Sequence, residues 1–515
     1  MKTENVSRAV LAGGAVAVLA AAALLYVPEL AGRTPPPAPG PAERAAEAAH
    51  AGAQAALPDL VALIGDREKW LKAHPGDEAS WTVLGAAYTE RGLRRADPAD
   101  LPRAEAALKR SLAVRPAARG NLDAQLGMAA LANARGDWKS AREWGERVRT
   151  ADPKRWPAYP VLIDAYNGLG DYKAAAKATE TLTELHSGAA VSARSAQLYR
   201  NRGWREDAGA AAADAVALAA TDAEKAAALA RLGDLAWERG EPEEALAQYG
   251  AALGLVPGHG PSLAGRARAL AALGRTREAV RDWRAALERL PLPEYFLEAG
   301  ELHEALDRDE EAQALYERLR TGAWPGAEVV LGLLDADHGD PAAAVRRLRA
   351  EWARGHRSVQ VADALGWALF RSGEPKEALE FAKRATDEGL RSALFAYHRG
   401  EIERALEDYG PARRHLAEAL RTNPSFSPLF APRAQQAVKA LGEPPDELPK
   451  DVRTDDVRPG DARAGEARPG EAEKPGAAVE PEGAVTPEAA VKPDVPKAGG
   501  GGGAGAVPGT ASGTA

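Results

Sequence analysis

Nine histidines and no cysteine stand among 515 residues, which excludes thiol nucleophiles, disulfides and Cys-based zinc sites before any pattern is sought. The densest group of metal-type donors is Asp335, Asp337, His338 and Asp340. Carboxylates and an imidazole could hold a divalent cation if all four converged. They straddle a helix-to-helix turn, however, where acidic side chains ordinarily cap backbone amides, and Asp335 lies one helical turn before Gly339. No metal is assigned to them. There is no phosphate-cradling glycine loop followed by Lys-Ser/Thr, no Gly-x-Ser-x-Gly elbow and no His-Glu-x-x-His. The chain is expected to have no catalytic residues, cofactor or metal, and not to be an enzyme. What is left is recognition, and recognition needs a scaffold.

The scaffold is written as one unit repeated. Gly136-Asp-Trp-Lys-Ser-Ala141, Gly170-Asp-Tyr-Lys-Ala-Ala175, Gly203-Trp-Arg-Glu-Asp-Ala208 and Gly240-Glu-Pro-Glu-Glu-Ala245 share one pattern. Gly274 to Ala279, Gly339 to Ala344 and Gly373 to Ala378 continue it, Asp307 before Ala312 and Glu407 before Ala412 replace the glycine, and Ala104 closes the turn of the first unit. The ten alanines recur about every 32 to 37 residues, a helix-turn-helix period. The glycine suits the left-handed position that ends a helix, a neighbouring acid suits the start of the next, and the alanine lets two helix axes approach. A second small position precedes each turn, as at Gly85, Gly233, Gly300, Gly332, Gly366 and Gly400, and Pro116, Pro153, Pro257, Pro291 and Pro424 end second helices. Ala-rich segments poor in β-branched residues favour helix throughout.

Trp81-Thr-Val-Leu-Gly85-Ala-Ala-Tyr88, and the run from Leu232 through Gly240, Ala245 and Tyr249 to Pro257, resemble tetratricopeptide (TPR) units. The resemblance covers about residues 80–424, ten units, and more loosely the chain resembles exported, membrane-anchored bacterial TPR proteins of undefined function. It implies an all-α right-handed superhelix, an α-solenoid, whose first helices line a concave groove for a protein or peptide partner. Carried onto this sequence, the groove positions include Asp164, Asn167 and Glu304, and the partner-binding residues are Trp237, Arg268, Glu301, Trp367, Phe370, Arg371, Tyr397 and Arg404. Trp237 and Trp367 have a plainer reading, packing between adjacent hairpins. The Lys and Asn pattern with which some TPR relatives clamp a carboxylate terminus is missing at matching positions. Ile163 at a usually small position, Ser187 and Ala220 in place of terminal prolines, and an extra stretch at 93–102 depart from the pattern; the third and fourth units are expected to be locally irregular.

The ends of such an array need covering. Residues 42–79 are expected to supply N-terminal capping helices, in which a helix over 60–74 packs Leu63, Ile64, Trp70 and Leu71 on the first hairpin. Residues 425–442 are expected to form a C-terminal capping helix behind Ser427-Pro428. Before these, Lys2 and Arg8 in a short cytoplasmic segment (1–8) precede an apolar run at 9–27, long enough for a transmembrane signal anchor, and a Pro-rich linker at 28–41. Such an anchor would put the repeats on the extracytoplasmic face of the cell membrane; secretion after signal cleavage and a cytoplasm-facing adaptor are the alternatives. After Gly442, Pro, Gly, Ala and mixed charge imply a disordered tail over 443–515. The formal net charge of −8 disfavours a nucleic-acid partner.

Overall fold

The computed structural model describes residues 39–51 and 54–442, where the chain is helical and carries no strand. Two helices come first, α1 (Pro41–Ala51) and α2 (Leu57–Ala73). Ten helix pairs follow. They are α3 (Glu78–Arg95) with α4 (Asp100–Val114), α5 (Leu122–Ala134) with α6 (Trp138–Ala151), and α7 (Ala158–Leu169) with α8 (Tyr172–Leu185). Next come α9 (Ala189–Asn201) with α10 (Arg205–Leu218), α11 (Asp222–Glu238) with α12 (Pro242–Leu255), and α13 (Gly260–Ala272) with α14 (Thr276–Arg289). The last four are α15 (Pro293–Glu304) with α16 (Asp309–Thr321), α17 (Glu328–His338) with α18 (Pro341–Ala353), α19 (Val359–Arg371) with α20 (Pro375–Asp387), and α21 (Ala393–Ala405) with α22 (Tyr409–Thr422). A single helix, α23 (Phe430–Leu441), closes the series. The segments at 1–8 and 9–27, most of the linker and the tail at 443–515 lie outside the described residues.

The repeat chemistry is packing chemistry. All ten motif alanines, from Ala104 to Ala412, are at most 3% exposed, each where the second helix of a pair meets the first. The small positions admit large side chains from the partner helix. Tyr249 of α12 is fully buried, and a Cβ added at Gly233 or Gly265 would stand 2.6 or 2.2 Å from its ring. Its hydroxyl donates to Asp234 Oδ1 at 2.8 Å, so the one polar atom of the wedge is satisfied.

Between paired helices, Gly136, Gly170, Gly203, Gly240, Gly274 and Gly373 take φ of +70° to +91°. Asp307 and Glu407 adopt the same left-handed conformation at +56° and +63° despite their Cβ atoms, as does Ala96 at +49°. Gly339 departs, with a φ of −149°, and α18 follows behind the Asp340 cap, whose carboxylate accepts from Ala342 N. Asp137 and Asp171 cap α6 and α8 by accepting from Ser140 N and Ala174 N.

Three expectations need correction. The third and fourth pairs keep complete helices; Ile163 is 2% exposed in the core, and Thr221, accepting from Glu224 N, starts α11 without a preceding proline. In α2, Leu63, Ile64 and Leu71 are buried but Trp70 is 45% exposed, stacked on His74 with Nε1 donating to Asp77. The closing helix starts at Phe430 and not directly behind Ser427, whose hydroxyl still accepts from the amides of Leu429 and Phe430.

The superhelix is tight enough for one turn to rest on the next. The turn of α5 and α6 meets the loop after α16 at Gly136 and Gly326, and that of α7 and α8 meets the loop after α18 at Gly170 and Arg357. The same offset brings Gly203 to Gly389 and Gly240 to Asn423 and Pro424. Each contact joins the tip of one hairpin to the connector that follows the fifth hairpin beyond it. Among the described residues three hydrogen bonds join segments this far apart: Val359 N donates to the Tyr172 hydroxyl at 2.8 Å, Asn423 Nδ2 donates to Trp237 O at 2.7 Å, and the Thr221 hydroxyl donates to Gln54 O at 3.2 Å.

Candidate binding lumen

Because first helices face inward and successive turns touch, the concave surface encloses a lumen of about 2170 Å³. Its wall draws on α3, α5, α7 and α9 at one end and on α19, α21 and α23 at the other.

A ladder of polar contacts ties consecutive first helices together along this wall. Arg194 of α9 pairs with Asp164 of α7, Nη2 to Oδ2 at 2.9 Å, and Arg200 Nε of α9 donates to Glu238 of α11 at 2.7 Å. Arg268 of α13 forks onto Glu298 of α15, with Nη2 to Oε1 at 2.8 Å. Asp337 of α17 accepts from Trp367 Nε1 of α19 at 2.9 Å and pairs with Arg371 at 3.2 Å, while His398 of α21 meets Asp363 of α19 at 2.9 Å. These bonds fix the rotation of each hairpin on the next, since both partners are held by the contact.

The eight residues carried over from the TPR pattern divide. Trp237, Arg268 and Glu301 line the lumen, together with Asp164 and Asn167. Trp367, Phe370, Arg371, Tyr397 and Arg404 do not line it. Trp367 is 2% and Tyr397 3% exposed, in a stack with His398 and Phe430: Trp367 lies 4.1 Å from the His398 ring and Tyr397 5.3 Å from the Phe430 ring. The cause is α23, which brings Phe430 down on the last two first helices and converts groove positions into core. Phe370 packs on Trp367 and joins the same core, and Arg371 and Arg404 are held by Asp337 and Glu401. Even in the lumen Arg268 is committed to Glu298.

The sequence reading missed Glu294 and Glu298. With Glu301 they are spaced i, i+4, i+7 on α15 and line the lumen as one stripe. That spacing was visible; its inward direction was not. Of the three, only Glu298 makes an ion pair. Burial, then the neighbouring Glu298, Asp337 and Glu304 carboxylates, push the Glu301 carboxyl well above the usual range, and burial raises that of Glu294. Over the whole wall carboxyl groups outnumber guanidinium and ammonium groups, fourteen to ten, and burial pushes those of Glu90, Asp234, Glu294 and Glu301 up from the usual range. Asn133, one hairpin before Asn167, was also missed: its Nδ2 donates to Val161 O at 2.9 Å, while its buried Oδ1 has no partner. The four donors at 335–340 diverge onto Arg347, Trp367, Tyr316 and Ala342, and among the described residues no cluster could hold a metal ion.

No protein-family model and no curated relative matches the chain. Solved structures do. The APC/C hetero-tetramer Cut9–Hcn1 is similar at 14% identity over 75% of this chain and 82% of that one, with a TM-score of 0.38. A tetratricopeptide repeat protein from Parabacteroides merdae is similar at 18% identity over 48% and 96%, with a TM-score of 0.31. A chain of the human IFIT1 dimer with PPP-AAAA is similar at 12% identity over 71% and 94%, with a TM-score of 0.41. At these values no function transfers from them, and the repeat architecture rests on this chain's own ten hairpins.

Proposed function

We propose that this array of tetratricopeptide-type hairpins is a binding scaffold, and that its lumen takes an extended peptide segment carrying Lys or Arg. One observation carries the reading: the acidic stripe of α15, where Glu294 and Glu301 face a carboxyl-rich space without an ion-pair partner of their own. A carboxylate held away from water and unpaired is costly to the free protein, and a guest cation would recover that cost. Trp237, partly buried on the same wall, offers an aromatic surface to the guest's aliphatic stems. Catalysis is not part of the proposal, since the titratable clusters are consumed by the ladder and by helix caps.

The test is a random peptide library panned on the full chain. Lys- and Arg-rich sequences are expected to be enriched, and the double variant E294Q/E301Q to bind them about tenfold more weakly, the equivalent of about 1.4 kcal/mol. The same variant is expected to melt at a higher temperature, because it removes two unpaired carboxylates. Enrichment of neutral or acidic peptides would overturn the reading, as would a variant that loses stability along with affinity.

The location proposed for the scaffold is the outer face of the cytoplasmic membrane. Support comes from the sequence, in which Lys2 and Arg8 precede the apolar run at 9–27. No helix among the described residues is long and apolar enough to cross a membrane. The array is expected to stay with membranes through high-salt washing and to be cut by protease added to wall-stripped cells. Protection from that protease would select the opposite orientation, and release by salt a cleaved form.

A further inference from the structure

We infer that the seam between successive superhelical turns is a gate: it opens to admit a guest to the lumen and shuts behind it. The functional meaning of the gate rests on the lumen being the binding surface; its existence does not.

The seam is built as a reversible contact. It joins hairpin tips to connecting loops, and no helix lies along another across it. The hydrogen bonds of Tyr172, Asn423 and Thr221 are reinforced by few apolar side chains: Tyr172 against the group formed by Val359 and Leu390, and Ala96 against the one that includes Leu263 and Leu290. Within a turn, by contrast, every hairpin buries its motif alanine completely or nearly so. Opening need not break any of those interfaces. A solenoid's curvature is the sum of small rotations between neighbours, so a gap of about 5 Å at the seam asks for a shift of about 1 Å at each of the intervening hairpin contacts.

The sequence has also been fitted to the shut state. The four hairpin tips at Gly136, Gly170, Gly203 and Gly240 rest on the following turn, and all four are glycine. A Cβ at Gly170 would stand 2.2 Å from the Arg357 carbonyl oxygen, and one at Gly203 2.5 Å from that of Gly389. Later tips with no turn above them include Asp307 and Glu407, in the same left-handed conformation, and Gly274 and Gly373, around which a Cβ would meet nothing within 4 Å. Conformation alone therefore tolerates other residues; at Gly170 and Gly203 the contact across the seam leaves no room for a Cβ, whereas the first tip, Ala96, packs its methyl against the group that includes Leu263 and Leu290 on the next turn. Ala227 of α11 lines the lumen that the shut seam bounds.

The chain has no cysteine, so introduced ones report without background. Exposed Arg202 and Arg391 flank the Gly203–Gly389 contact, and R202C/R391C in the full chain takes a fluorophore and a contact quencher for single-molecule photoinduced electron transfer, which is lost over a few ångströms. A dominant high-transfer population with a minor low-transfer one is expected. The Tyr172→Phe variant, which keeps the ring but leaves Val359 N–H without its acceptor, is expected to raise the minor population about tenfold. In parallel, a single Ala227→Cys in the lumen is treated with a maleimide carrying a bulky polyethylene glycol and with N-ethylmaleimide. Tyr172→Phe is expected to speed the bulky reagent by a similar factor and to leave the small one nearly unchanged. A single high-transfer population in both proteins overturns the opening. A larger low-transfer population without faster bulky labelling overturns the gate. Neither outcome depends on any peptide, so failure of the lumen to bind basic sequences remains a separate result.

Discussion

Gly170→Ala is expected to cost the protein about 3–4 kcal/mol. About 1–2 kcal/mol of this is the penalty for a Cβ at φ = +73°. The remainder is steric, because that Cβ would stand 2.2 Å from the backbone oxygen of Arg357, which has no flexible end to swing aside. Gly373→Ala, at φ = +91° with nothing within 4 Å, meets only the first term and is expected to cost about 1–2 kcal/mol. Glu407→Gly runs the other way: relief of the left-handed strain at φ = +63°, partly offset by a looser unfolded chain, is expected to stabilise by up to about 1 kcal/mol. The measurements are thermal midpoints and amide exchange at 355–360, since a repeat array loses stability locally as well as globally. Protection at 355–360 should fall in Gly170→Ala and stay intact in Gly373→Ala. Equal losses at both glycines would mean that the turns of the superhelix do not touch.

The second large effect separates two tryptophans that look alike in the sequence. Trp367→Ala is expected to destabilise by about 3–5 kcal/mol, because it empties the centre of the stack with His398, Tyr397 and Phe430 and removes the Nε1 donor from Asp337. Trp367→Phe keeps much of the packing and isolates the lost donor, at about 1–2 kcal/mol. Trp237→Ala is expected to cost less stability, since its ring is only partly buried beside Tyr249 and the main-chain bond from Asn423 to its carbonyl survives, yet to weaken peptide capture by about tenfold. Denaturant unfolding and peptide binding, run on the same samples, distinguish them. If Trp367→Ala folds normally and loses only binding, α23 does not seal the end of the array.

The capping role of α23 also explains why the binding residues were only partly legible. Position along a first helix identifies the inward face, and for Trp237, Arg268 and Glu301 that was enough. It cannot tell whether a later segment covers the face, which is what Phe430 does to Trp367 and Tyr397. Nor does it show that an arginine is already taken, as Arg268 is by Glu298 and Arg371 by Asp337, because those partners lie 30 or more residues away on another hairpin.

The repeat itself was determined by the sequence alone. The period, the turn glycines and the ten alanines are consequences of local backbone conformation and of nearest-neighbour packing, both of which are written within a window of two hairpins. No such window holds the pitch of the superhelix. Pitch accumulates small rotations over five hairpins, and only when it brings Gly170 to Arg357 and Gly203 to Gly389 does the groove become a lumen with a seam. The chemistry the sequence offered was thus dispersed by tertiary structure: the acidic cluster at 335–340 went into caps and the inter-helix ladder. What the fold assembled in its place is an inward carboxylate stripe on α15, enclosed by helices that lie far from it in the chain.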